Sequence, residues 1–118
     1  MIRSSIWETC SIAKAGTLSG VCDLQRPYEY ALIQVPTIDT ATVTVRVSRT
    51  KTGTGVDLYK TDGDGSNAKV ISDSGTGNFM WLVPIAGAQY LWFYASAAQS
   101  TAAVTFYVRG FNGSVRTM

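Results

Sequence analysis

The chain has 118 residues, of which 46% are hydrophobic and only 15% charged, with a net charge of +2 and no histidine. That length suits one domain with a core of its own, and so small a positive balance gives no basis for nucleic-acid or membrane binding. Without histidine, Ser-His-Asp, Cys-His and His-metal chemistries are excluded.

Residues 5–13 and 18–24 read as the arms of a first hairpin, with Gly16 supplying a permissive turn. In the second arm Leu18, Gly20, Cys22 and Leu24 share a face. Cys10 and Cys22 then face each other across the turn, where a disulfide is geometrically conceivable. Glu8 and Lys14 interrupt any apolar signal-peptide core, and every apolar run is far shorter than the ~20 residues of a membrane span. The expectation is a soluble product made in the cytoplasm, with both thiols reduced and packed as small apolar groups.

Gln25-Arg26-Pro27 breaks the chain, because proline cannot donate to a ladder. Tyr28 to Val35 follows as a strand with Ala31, Ile33 and Val35 on one face and Tyr28, Tyr30 and Leu32 on the other; Pro36-Thr37-Ile38-Asp39 closes it. Residues 42–48 alternate cleanly, with Val43, Val45 and Val47 inward and Thr42, Thr44, Arg46 and Ser48 toward water. A Gly-rich loop at 51–55, a short strand around Val56, Leu58 and Tyr59, a polar loop at 61–67 and a minimal strand at Val70-Ile71 come next. After a turn at 74–77, residues 78–83 bring together Phe79, Met80, Trp81 and Leu82.

The most aromatic run follows, Pro84-Ile85-Ala86-Gly87-Ala88-Gln89-Tyr90-Leu91-Trp92-Phe93-Tyr94-Ala95. As a strand it places Leu91, Phe93 and Ala95 on one side and Tyr90, Trp92 and Tyr94 on the other. The first side is expected in the core, and the second against another surface. A loop at 96–101, a strand at 102–109 and a tail or arm at 111–118 complete the chain. The short apolar segments, turn signals and missing helical period predict an all-β fold. The expected form is a single antiparallel β-sandwich, jelly-roll-like, with about eight or nine short strands.

The acidic residues lie scattered singly, so no paired-carboxylate site can be proposed from spacing, and no Gly-rich loop leads into a helix to hold phosphate. Neither an enzyme nor a cofactor is expected. Asp62-Gly63-Asp64-Gly65-Ser66-Asn67, with Asp73 beyond it, has the alternating oxygens of a calcium loop. Its sixth position holds Asn67 where that loop needs glycine, so a solvated turn is the simpler reading. Tyr28, Tyr30, Trp81, Tyr90, Trp92 and Tyr94 could stack sugars or line a subunit contact. A sugar site also wants convergent polar groups, which the sequence does not assemble, so these six are the candidate interface. Lys51, Arg109 and Arg116 are too sparse to track a phosphate backbone.

In their order along the chain, four segments resemble small structural proteins of tailed bacteriophages, the head decoration (cement) or head-fibre β-sandwich proteins. They are Gly16-Thr17-Leu18-Ser19-Gly20-Val21-Cys22-Asp23-Leu24; Ala31-Leu32-Ile33-Gln34-Val35-Pro36 before a Thr/Val strand; Asp57-Leu58-Tyr59-Lys60-Thr61-Asp62-Gly63; and Pro84-Ile85-Ala86-Gly87-Ala88-Gln89-Tyr90-Leu91. The resemblance implies a binding protein made in the host cytoplasm and carried on the virion. It would clamp neighbouring major-capsid subunits from outside, as a homo-oligomer and preferentially a trimer, without nucleic acid or membrane. The alternative is a receptor- or glycan-binding module of a tail or head fibre.

Overall fold

The computed structural model describes residues 3–4, 6–61 and 67–112. Among them the strands in chain order are β1 (Arg3–Ser4), β2 (Glu8–Ile12), β3 (Cys22–Asp23), β4 (Tyr30–Ala41), β5 (Val43–Ser48), β6 (Val56–Asp57), β7 (Tyr59–Thr61), β8 (Asn67–Lys69), β9 (Gly75–Pro84), β10 (Tyr90–Ala95) and β11 (Val104–Asn112). One sheet runs β1-β11-β4-β9, with β2 also paired to β11; a second runs β3-β10-β5-β6; β7 and β8 form a small hairpin. All pairs are antiparallel. The two larger sheets form the expected all-β sandwich.

Period-2 alternation decides which side chains fill it. Ala31, Ile33 and Val35 of β4, Phe106 and Val108 of β11, and Cys10 and Ile12 of β2 are buried from the first sheet. Val43 and Val45 of β5, Leu91, Phe93 and Ala95 of β10, and Cys22 of β3 meet them from the second. Phe93 stacks on Phe106 between the sheets, ring centroids 4.8 Å apart. Each fully buried Val, Leu, Ile or Phe contributes about 1.5–3 kcal/mol over its exposed state. Both thiols are free and buried, and the neighbouring Cys10 together with burial pushes the Cys22 thiol far up.

Several sequence expectations change, among them the turn at 74–77, most of which belongs to β9, and the strand at Val70-Ile71, where an isolated Thr44↔Ile71 bridge forms instead. Pro36 does not close its strand: β4 continues through it to Ala41. The pairing of β4 with β11 stops at Gln34↔Tyr107, so no partner there requires the N–H that Pro36 lacks. The backbones of the first two arms meet near their base, through Gly16 N–H to Ala13 O, the Ile12↔Ser19 bridge and Gly20 N–H to Ser11 O. They then part, β2 into one sheet and β3 into the other; the left-handed residue of that turn is Ala15, not Gly16. Finally, β11 extends through Phe111 and Asn112, which the sequence reading assigned to the tail; 113–118 lie outside the described residues.

A polar clasp holds the 96–101 loop to the end of β4. Gln99, almost wholly buried, accepts the Asp39 N–H on Oε1 at 2.8 Å and donates from Nε2 to Ala97 O at 3.1 Å. The Asp39 carboxylate accepts from the backbone and hydroxyls of Ser100 and Thr101, and these bonds, those of Thr101 foremost, hold its pKa below the ordinary value.

Candidate protein-interaction face

The six candidate aromatics do not share a surface. Tyr28 is buried in the core against Gly110, where a Cβ would collide with the tyrosine ring. Tyr30 lies on the outer face of the first sheet, stacked on Phe111 with centroids 5.5 Å apart. Trp81, opposite Ile33 on β4, points inward and is partly buried. Tyr90 lines an open groove of about 820 Å³ with Pro27, Val47, Val56, Leu58 and Ile85. Trp92 and Tyr94 lie on the outer face of the second sheet, opposite Arg46 and Thr44.

That second outer face is closed at its centre by the chain itself. Trp92 is only 2% exposed, although it stands outside the core between the sheets. The 51–55 loop covers it: a Cβ on Gly55, at φ +72°, would stand 2.6 Å from Trp92 Cε3 and 3.2 Å from Arg46 Cβ. Only glycine combines this approach with that dihedral. Beside it Arg46 Nε meets Asp57 Oδ1 at 3.4 Å, Lys69 Nζ meets Asp57 Oδ2 at 3.3 Å, and the Arg46 guanidinium lies 5.8 Å from the Tyr94 ring centre. Tyr94 stays 39% exposed at the margin.

The outer face of the first sheet is left open by the described residues, and the registers fix its rows. Thr9, Tyr107, Gln34 and Met80 form one row across β2, β11, β4 and β9. Arg109, Leu32 and Leu82 form the next, with the Arg109 guanidinium 5.9 Å from the ring centre of Trp7. Phe111, Tyr30 and Pro84 form the third. Tyr107, Met80 and Leu82 are 45%, 50% and 57% exposed. Leu32 and Leu82 are direct cross-strand partners, and with Met80 and Tyr107 they form an apolar cluster around Gln34 and Arg109 rather than single scattered residues, the kind of exposed patch that marks a contact site. The sequence reading missed Trp7, Tyr107, Leu82 and Met80. The available signal was a large apolar or aromatic residue (Leu32, Met80, Leu82, Tyr107) at outward positions of strands whose inward positions were already filled.

Among the described residues, no group of three or more His, Cys, Asp or Glu is placed to hold a metal, and no helix is long and apolar enough to cross a membrane. The 62–66 part of the candidate calcium loop lies outside the described residues.

No protein-family model matches the chain, and no curated protein matches it. Among solved structures it is similar to a chain of the cyanophage Pam1 capsid asymmetric unit, over 93% of its own length and 82% of that chain, with 16% identity and a TM-score of 0.42. Likeness at that level transfers no role from one chain to the other.

Proposed function

We propose that this chain is a structural protein of a tailed-phage virion, a decoration (cement) protein that attaches to the outside of the major capsid shell and stabilises it. The observation that carries the reading is the exposed apolar cluster on the outer face of the first sheet, formed by Leu32, Leu82, Met80 and Tyr107. A face of this kind gains from burial against another protein, at roughly 25 cal/mol per Å² of apolar surface covered. The resemblance of the four sequence segments supports the phage setting. The mechanism is binding alone: each copy spans neighbouring shell subunits, and many copies raise the cost of opening the shell. Undecorated capsids incubated with the protein should bind it on sedimentation and rupture at a higher temperature. Tyr107→Lys combined with Leu32→Lys should lose both effects. Absence of binding at micromolar concentration contradicts the proposal.

One observation favours a second reading, a glycan-binding module. Tyr94, Thr44, Arg46, Asp57 and Lys69 line a shallow depression of about 280 Å³, joining an exposed ring to polar groups. A glycan-array signal lost in Tyr94→Ala would support it, and no signal in the wild type would remove it.

A further inference from the structure

The far edge of β9 is unlike any other long edge. β2 is bridged at Ile12↔Ser19, and its Ser11 carbonyl accepts from Gly20 N–H. The edge of β5 is covered by β6 and by residues 70–72, through Val45 N–H to Val70 O and Ser72 N–H to Val43 O. β1, β3 and β6 are two residues long. β9 runs from Gly75 to Pro84 and pairs only with β4 among the described residues.

The ladder shows which backbone groups face outward. Ile85 N–H donates to Glu29 O at 2.8 Å, one step beyond the Tyr30↔Pro84 pair. Hydrogen-bonded and non-hydrogen-bonded pairs alternate in an antiparallel ladder, so Val83, Trp81 and Phe79 bond β4 while Leu82 and Met80 turn N–H and C=O away from it. Protected edges carry charges, prolines or bulges. β9 has no ionisable residue; its irregular residues, Gly77 and Asn78 with positive φ, lie toward its start, and its proline ends it. Met80 and Leu82 stand exposed on its outer face and Phe79 on its inner face, beside the exposed Ile71 across the seam between the sheets, while Trp81 and Val83 pack inward.

We infer that β9 pairs with β9 of a second copy of this chain across a two-fold axis. No other long edge is free among the described residues, so an edge-to-edge contact between identical chains uses this one twice and is isologous. The outward groups fix the register. Met80 stands opposite Leu82 of the second copy and Leu82 opposite its Met80, each pair exchanging both backbone hydrogen bonds, with Trp81 facing its own equivalent on the axis. Like charges never meet, because the strand has none. The added strand lies beside Met80, Leu82 and Phe79 and continues the first sheet's outer face across the axis, and an aromatic cross-strand pair forms at the centre. This contact is two-fold, unlike the trimer implied by the sequence resemblance.

Sedimentation equilibrium of the full chain, without capsids, tests the contact independently of shell attachment. Dimers should accumulate with concentration below about 1 mM. Met80→Pro removes an outward N–H without touching the β4 ladder, and Leu82→Lys places a charge at the contact on a side chain already more than half exposed. Each should weaken the dimer at least about tenfold, and Leu82→Lys carries the test even where the proline perturbs folding. Trp81→Cys should cross-link on oxidation, because directly opposed residues of a non-hydrogen-bonded pair stand about 4.5 Å apart at Cα. A wild type monomeric throughout, or a dimer that both Leu82→Lys and Met80→Pro leave intact, overturns the inference.

Discussion

The two outer faces of this sandwich start from similar sequence and end differently. On the second sheet, Trp92 lies beneath Gly55, beside Arg46 paired to Asp57. On the first, Leu32, Leu82, Met80 and Tyr107 stand in cross-strand rows with no segment of the described chain over them. An aromatic face is a contact surface only when its own chain leaves it open. The loop that decides this for Trp92 is nearly forty residues earlier in sequence (92 − 55 = 37).

The largest expected effect is on the closed face. Trp92→Ala should lower unfolding free energy by about 3–5 kcal/mol in chemical denaturation, as for a buried large aromatic. A loss below about 1 kcal/mol would mean that the loop does not hold the indole. Gly55→Ala should cost about 1–3 kcal/mol, from left-handed strain plus the collision with Trp92. Gly53→Ala provides the control: it shares the positive φ but meets nothing within 4 Å, so it should cost only about 1 kcal/mol. Equal losses at the two glycines would remove the collision from the account.

On the open face the order reverses. Tyr107→Ser should change stability by only about 1 kcal/mol or less in the same denaturation series, yet weaken capsid attachment about tenfold, equivalent to about 1.4 kcal/mol. The smallest effect belongs to the Asp39 clasp, which touches neither face. Its carboxylate pKa is lower folded than unfolded, because Thr101 and Ser100 donate to it. The stability it adds is therefore present above the ordinary carboxylate value, about 3.9, and is lost as pH falls through the lower folded value. Asp39→Asn should flatten that acid limb in thermal melts against pH, with no change in capsid attachment.

Much of the sandwich was legible because burial on one face writes itself as period-2 alternation. Val43 and Val45, and Leu91 and Phe93, were placed inward from the sequence and are buried. Pro36 misled because its missing donor matters only where a neighbouring strand needs one, and pairing with β11 has already ended there. The first hairpin misled because local turn geometry does not reveal that its arms part into different sheets. The proposed interaction face was the least legible. Tyr28 and Trp92 have the composition of interface residues, but whether they are covered depends on Gly110 and Gly55, contacts far apart in sequence. Tyr107, Met80 and Leu82 form a surface only once the cross-strand register is known.

Hydroxyl-radical footprinting of the protein, free and bound to undecorated capsids, tests the central claim most directly. Oxidation of Trp7, Met80 and Tyr107 should fall on binding, while Tyr94 and Tyr59 stay as reactive as in the free protein. Protection of Tyr94 and Tyr59, with Trp7, Met80 and Tyr107 unchanged, would contradict the assignment of the first sheet's outer face as the attachment surface.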